Sequence, residues 1–173
     1  APPKAGEWHY RSVCSNMDDS GLCGQAGTIS ATQYDGDNPL LRHGRLRVAA
    51  NDRYLEHKDG TPFLWMGDTW WMGLTTRLNW PAGFQELTTD RVAKGFSVVQ
   101  IITGPLPDMD ATDRRGRNEA GLPFEDGFDR INSEYYDHAD LKIAHLVQNG
   151  LMPCIVGMWG YYLPQIGVER IKR

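Results

Sequence analysis

Residues Met66 to Trp71 read MGDTWW, placing a carboxylate and two adjacent indoles directly after the apolar run FLWMG. A carboxylate accepts hydrogen bonds from hydroxyls, and an indole presents a negative π-face to C–H bonds. Together they serve either core packing or a grip on something flat and hydroxyl-rich, such as a sugar ring. Gln100 lies inside the apolar run SVVQII, where a buried amide needs partners that a site-facing position supplies. Trp159, Tyr161 and Tyr162 follow the apolar run LMPCIVGM. The candidate binding residues are therefore Asp68, Trp70, Trp71, Gln100, Trp159 and Tyr161. Each has a packing alternative. Asp68 can cap a helix or bond backbone amides, and of two neighbouring tryptophans one usually faces the site and one the core. Tyr162 reads as packing.

These side chains need a scaffold, and the chain reads in two styles. Up to about Asp68 it is strand-like and turn-rich, with EWHYRSV, GTISATQY and RLRVAAN, then two short strand runs around Lys58-Asp59-Gly60. From Phe63 the order becomes strand, helix, strand, helix, strand. PFLWMG is the first strand. A helix follows over residues 81–94, with Asn79 as its cap and Phe84, Leu87, Arg91 and Val92 on one face. FSVVQIIT is the second strand, followed by a long loop over 104–131. The second helix starts near Asn132 or Ser133 and ends at Gly150, with a stripe of Tyr136, Ala139, Ile143, Leu146 and Val147. LMPCIVGM is the third strand, and Val168 and Ile171 open a third helix.

Strands two and three are apolar on nearly every residue, as in parallel sheets covered on both faces by crossover helices. The fold class is α/β, either an open doubly wound sheet or the first βα units of a (β/α)8 barrel. The nucleotide-binding version expects GxGxxG or GxxxxGK[ST] after strand one, and GDTWWMGL is neither. A barrel carries its functional side chains at the C-terminal ends of its strands, where the residues above fall. The barrel reading divides the chain at about residue 44, with a β-rich segment over 1–44 and barrel units over 45–173.

The formal net charge of -4 and pI of about 5.7, with no basic stripe, argue against nucleic acid and anionic membranes as partners. The apolar runs are strand-sized, too short to span a bilayer. Cys14 and Cys23 flank the turn-rich SNMDDSGL and are candidates for a disulfide if the protein is exported, or for two free thiols. Cys154 packs as a small hydrophobe. No CxxC or His/Cys cluster offers a zinc site. Asp108, Asp110 and Glu119 have the spacing of a calcium loop. Thr112 and Asp113 break that pattern, however, and no helix leads into it. The long loop reads as a solvated flank of a binding groove, with residues 114–117 and Asp126 on its rim. His138 and His145 are expected on the exposed side of helix two.

NDRYLEHKDGTPFLWMGDTWWMGL, DRVAKGFSVVQII and GLMPCIVGMWGYYLPQIGVERIKR together resemble the apiosidase-like glycoside hydrolases. The resemblance covers about Leu46 to Arg173. It joins a hairpin lead-in, a Gly-Asp-Thr with nearby Trp, a Lys-Gly-Phe before strand two, a Gln inside it, and a Trp-Gly after strand three. It implies a retaining (β/α)8-barrel enzyme, and the N-terminal portion looks like the last strands of a small β-sandwich that precedes such barrels.

Three βα units cannot close an eight-fold barrel, so the expectation is an incomplete barrel whose remainder is its closest partner. Glycoside hydrolysis needs two carboxyl groups across the scissile bond. The resemblance places both on later strands beyond Arg173, so no catalytic residue is expected here, and residues 1–173 alone are expected to be inactive. The implied activity is hydrolysis of a plant or microbial polysaccharide, without a cofactor, by a secreted or periplasmic protein. The main rival is a non-catalytic carbohydrate-binding or structural domain; a nucleotide-binding α/β protein is the other.

Overall fold

The strand-like N-terminal runs pair with each other. In the computed structural model, which describes residues 4–171 except the side chains of Asp126, Arg170 and Ile171, β1 (Gly6–Arg11) lies antiparallel to β2 (Ala26–Ala31). The connection is closed by hydrogen bonds. Ser12 N–H donates to Gln25 O at 2.7 Å, Gly24 N–H to Ser12 O at 3.1 Å, and Asp19 Oδ1 accepts from Gly21 N–H at 3.0 Å. Cys14 and Cys23 are free thiols, and the Cys23 thiol lies 3.7 Å from Met17 Sδ. The disulfide considered from sequence is therefore not formed. Its loop-closing role falls to the backbone bonds.

This hairpin belongs to one unit, Ala1–Asp37, and the rest of the chain, Asn38–Arg173, to a second. Asn38, the first residue of the second unit, is bonded into it. Its side chain caps α1 (Pro39–Arg42) by accepting from Leu40 N–H at 3.0 Å, and it donates to Val147 O at 2.5 Å.

The second unit opens with an antiparallel sheet of β3 (Leu46–Val48), β4 (Leu55–His57) and β5 (Pro62–Phe63). Gly60 turns its hairpin at φ 90°. Asp59 Oδ1 accepts from Thr61 N–H at 3.0 Å, and His43 Nδ1 sits 2.8 Å from Asp59 Oδ2. His43 and Thr61 hold the Asp59 carboxyl down at about 2. β5 ends at Phe63. Leu64 and Trp65 are 74% and 51% exposed, and the first parallel strand is β6 (Gly67–Trp70), not PFLWMG. The apolar run is divided between a hairpin edge and a link, and Ser97 Oγ fixes that link by donating to Leu64 O at 2.5 Å.

β6, β7 (Val98–Ile102) and β8 (Met152–Val156) form a parallel sheet in sequence order. Between them lie α2 (Ala82–Ala93) and α3 (Ser133–Gln148), giving the βαβαβ order expected of an α/β unit. Pro81, not Asn79, occupies the N-cap of α2, and Asn79 serves through its carbonyl, which accepts from Phe84 N–H at 3.0 Å. α2 buries Phe84 and Thr88, whereas Val92 is exposed.

Asn132 caps α3, accepting from Tyr135 N–H at 3.4 Å, and the buried stripe is Tyr135, Ala139, Lys142 and Leu146. The stripe therefore runs through Tyr135 rather than Tyr136. His145 is not on the exposed side of α3. Its ring packs edge-on against Trp80 at 5.6 Å. The core between sheet and helices contains Trp70, Leu74, Phe84, Val99, Ile101, Ala139, Leu146 and Leu151. Full burial of each large apolar side chain contributes about 1.5–3 kcal/mol. Beyond β8 come α4 (Leu163–Ile166) and α5 (Val168–Ile171).

Candidate active-site face

Alternation along the strands sorts the candidate residues by face. Trp70, Val99 and Ile101 pack into the helix-covered core, so Asp68, two residues before Trp70, points to the same side. Gly67, Thr69, Val98, Gln100 and Cys154 point the other way. In register, Thr69 lies beside Gln100 and Gln100 beside Cys154, forming one polar row across the sheet. A cavity of about 240 Å³ opens over this row, with Trp65, Asp68 and Val98 on its walls. No described residue partners the Gln100 amide, which leaves its donors and acceptor available to a guest.

Asp68 has a different situation. Its Oδ2 accepts from Trp70 Nε1–H at 2.9 Å and from Arg91 Nε–H at 2.5 Å, and its Oδ1 accepts from Thr69 N–H at 2.8 Å. Burial works against the charge, but the bonds from Trp70, Arg91 and Thr69 outweigh it and hold the carboxyl below its ordinary value. Trp70 is 6% exposed and packs edge-on against Phe84 at 5.4 Å. The sequence offered both residues as sugar contacts. In the structure Asp68 and Trp70 tie β6 to α2, because a strand-interior position two before a core tryptophan shares that tryptophan's face, and both also line a cavity of about 540 Å³ together with Trp71 and Arg91.

The other tryptophan goes to the strand ends. Trp71, directly after β6, meets Trp159, just beyond β8, with ring centroids 5.2 Å apart and planes tilted 51°. Trp71 is 38% exposed and Trp159 half-buried. Two indoles from non-adjacent strands thus form one aromatic surface at the C-terminal side of the sheet.

The loops there are interlocked. Thr76 N–H donates to Arg117 O at 3.0 Å, and Tyr161 and Tyr162 donate their phenolic hydrogens to Leu106 O at 3.2 and 2.9 Å. Burial pushes the Tyr162 phenol upward. Tyr161 therefore acts first as a strut for the long loop, although 40% of it remains exposed. At Gly104 a Cβ would sit 2.4 Å from Gly157 O, so the loops after β7 and β8 approach as closely as only glycine permits.

The long loop is less solvated than its composition implied. Leu106 and Asn118 are buried, and Asn118 Nδ2–H donates to Tyr135 O at 2.9 Å. Arg115 grips Asp113 through Nε and Nη2, holding that carboxyl at about 2. Among the described residues, no cluster of three or more His, Cys, Asp or Glu side chains could hold a metal ion. Arg114 and Arg117 are exposed, whereas the side chain of Asp126 lies outside the described residues.

Sequence reasoning overlooked Lys142. It is 1% exposed, and its Nζ donates to Gly73 O, Thr75 O and Leu78 O at 3.1, 3.0 and 2.7 Å. A signal was present, since positions 135, 139, 142 and 146 follow helical spacing and a lysine interrupts the stripe.

The sequence and structure of known proteins agree with this architecture. One solved structure, described as a glycoside hydrolase, superposes with TM-score 0.61 at 28% identity, covering 75% of this chain and 29% of its own. A glycoside hydrolase family 5 protein from Bacteroides vulgatus ATCC 8482 gives TM-score 0.57 at 26% identity, covering 72% of this chain and 26% of its own. The chain therefore spans under a third of the length of either. No curated protein matches. The family described as apiosidase-like, catalytic domain, matches residues 49–172, and this chain belongs to it.

Proposed function

We propose that this chain supplies part of the substrate cradle of a glycoside hydrolase that cleaves O-glycosidic bonds in a plant or microbial polysaccharide. The carrying observation is the Trp71–Trp159 surface at the C-terminal ends of the parallel strands. The polar row with Gln100, whose amide has no partner among the described residues, lines a separate cavity. C–H bonds of a sugar face rest on indole π-faces, and an amide both donates to and accepts from hydroxyls. Trp71, Trp159 and Gln100 are the contacts the geometry favours. Asp68 and Trp70 hold the strand that carries Trp71, and Tyr161 holds the loop beside Trp159. The strands are the first of a (β/α)8 barrel, and the N-terminal hairpin belongs to a small β-sandwich. Export to a secreted or periplasmic location fits a polymer substrate.

The chemistry needs a general acid with a raised pKa and a partner carboxylate. Asp68 is held low and engaged by three donors, the opposite of a proton donor's setting. The catalytic pair is therefore assigned to the part of its relatives' length that this chain does not span. The same observation favours a second reading for residues 1–173, carbohydrate binding without turnover.

Trp159→Ala should weaken binding of oligosaccharides from pectic or hemicellulosic polymers by about tenfold or more, read by calorimetry, with an unchanged melting temperature. Unchanged affinity would remove the aromatic surface from the site. Release of reducing sugar by a longer form carrying residues 1–173 separates the hydrolase from the pure binder.

A further inference from the structure

The buried lysine on α3 has no place in the core it interrupts unless it does something a hydrophobe cannot. An ammonium carries three N–H donors, and Lys142 directs all three at backbone carbonyls of one loop, Gly73, Thr75 and Leu78, at 2.7–3.1 Å. That loop joins β6 to α2 and begins with Trp71. It contains no regular helix or strand of its own. Its internal bonds run from Gly73 N–H to Trp70 O at 2.8 Å, from Thr75 N–H and Oγ1–H to Met72 O at 3.1 and 2.8 Å, and from Arg77 N–H to Thr75 Oγ1 at 3.2 Å, and none of them reaches the Gly73, Thr75 or Leu78 carbonyls. Carbonyls turned inward without a partner each cost free energy, so the loop conformation depends on a donor reaching it from outside. The Phe84 ring lies 5.5 Å from the ammonium, and Glu119 is the carboxylate whose field favours its charge against the burial that lowers its pKa. Gly73 is itself confined, since a Cβ there would sit 2.8 Å from Ile101 Cδ1.

We infer that Lys142 is a positioning residue for the carbohydrate site. By bonding Gly73, Thr75 and Leu78 it fixes the loop after β6 and thereby the orientation of Trp71 against Trp159. This rests on the proposed sugar-binding role of the two tryptophans, but its structural half stands independently of that role. A lysine that served only fold stability could be replaced by an apolar side chain of similar length without disturbing the indole pair.

The test compares Lys142→Met and Lys142→Arg with the parent in the full chain. Two indoles 5.2 Å apart produce an exciton couplet in circular dichroism, assigned by its loss in Trp159→Phe. The methionine variant should lose the couplet and speed amide exchange in the 73–78 loop by about ten- to a hundredfold. Oligosaccharide affinity should fall about tenfold with it. The arginine variant, which keeps charge and donors, should retain most of both. If methionine lowers only the melting temperature and leaves couplet and affinity as in the parent, Lys142 is structural and the inference fails. Should the methionine variant not fold, the arginine variant decides: a lost couplet in a folded arginine protein means that donors alone do not set the indole pair, and overturns the inference. If the parent binds no oligosaccharide, the sugar-binding role fails while the couplet still tests Lys142.

Discussion

Asp68 shows how residue type can be legible while its role is not. An acid beside two tryptophans is conspicuous in the sequence, but strand alternation decides its face, and that depends on where β6 begins. With β6 at Gly67–Trp70, Asp68 shares Trp70's side and meets Arg91 across to α2. Replacing it with Asn keeps the shape and removes the charge from a network of three donors. Asp68→Asn should destabilise the fold by about 1–2 kcal/mol near neutral pH, with little change in sugar affinity. The folded pKa of Asp68 lies below the ordinary 3.8, so the pair's contribution is complete above that value and is lost as pH falls through the lowered pKa. The gap between parent and variant in denaturant melts should therefore close in acid. A variant that keeps its stability and loses sugar affinity would return Asp68 to the site. Lys142 was passed over for the opposite reason: its helical spacing was there to see, but lysine is almost never fully buried, so a stripe through it reads as ending there. The cysteine pair was equally open, because loop spacing does not report whether two sulfurs face each other.

At the scale of elements, β7, β8 and α3 were legible because their apolar patterns are long and their caps strong: Asn132 caps α3, and Gly95 and Gly150 take positive φ where the helical runs stop. The first parallel strand was misplaced because PFLWMG is apolar throughout, and periodicity cannot divide a continuous apolar run between a hairpin edge and an exposed link. The loops were the least legible, since their order comes from contacts distant in sequence, such as Tyr161 and Tyr162 on Leu106 and Thr76 on Arg117. Gly104 is where that order is tightest. A methyl group there meets the Gly157 carbonyl, which is backbone and cannot rotate away. Gly104→Ala should cost about 1–3 kcal/mol in denaturant melts and shift Trp159 fluorescence, since Trp159 lies just after Gly157. An alanine variant with parental stability would mean that the two loops separate freely.

For the molecule as a whole, the family match and the strand-end aromatics point the same way, toward the substrate cradle proposed above. Two indoles and an amide without a partner among the described residues can hold a sugar, but hydrolysis also requires a proton donor and a nucleophile facing each other across the bond. Asp113 is gripped by Arg115, Asp59 is bonded by His43 and Thr61, and Asp68 is bonded by Trp70, Arg91 and Thr69. All three are held low, which suits ionised structural anchors and disfavours proton donation. Residues 1–173 by themselves should therefore bind oligosaccharides through Trp71 and Trp159 and release no reducing sugar. A longer form that includes them should release it and should lose that activity on Trp159→Ala. Affinity should be weaker in the shorter form, because a cradle built from three strands of a parallel sheet covers only part of a sugar's surface. Turnover by residues 1–173 alone would place the catalytic carboxylates within this sequence and turn attention to the acids of the long loop, Asp108, Asp110 and Glu119, beside the strand ends.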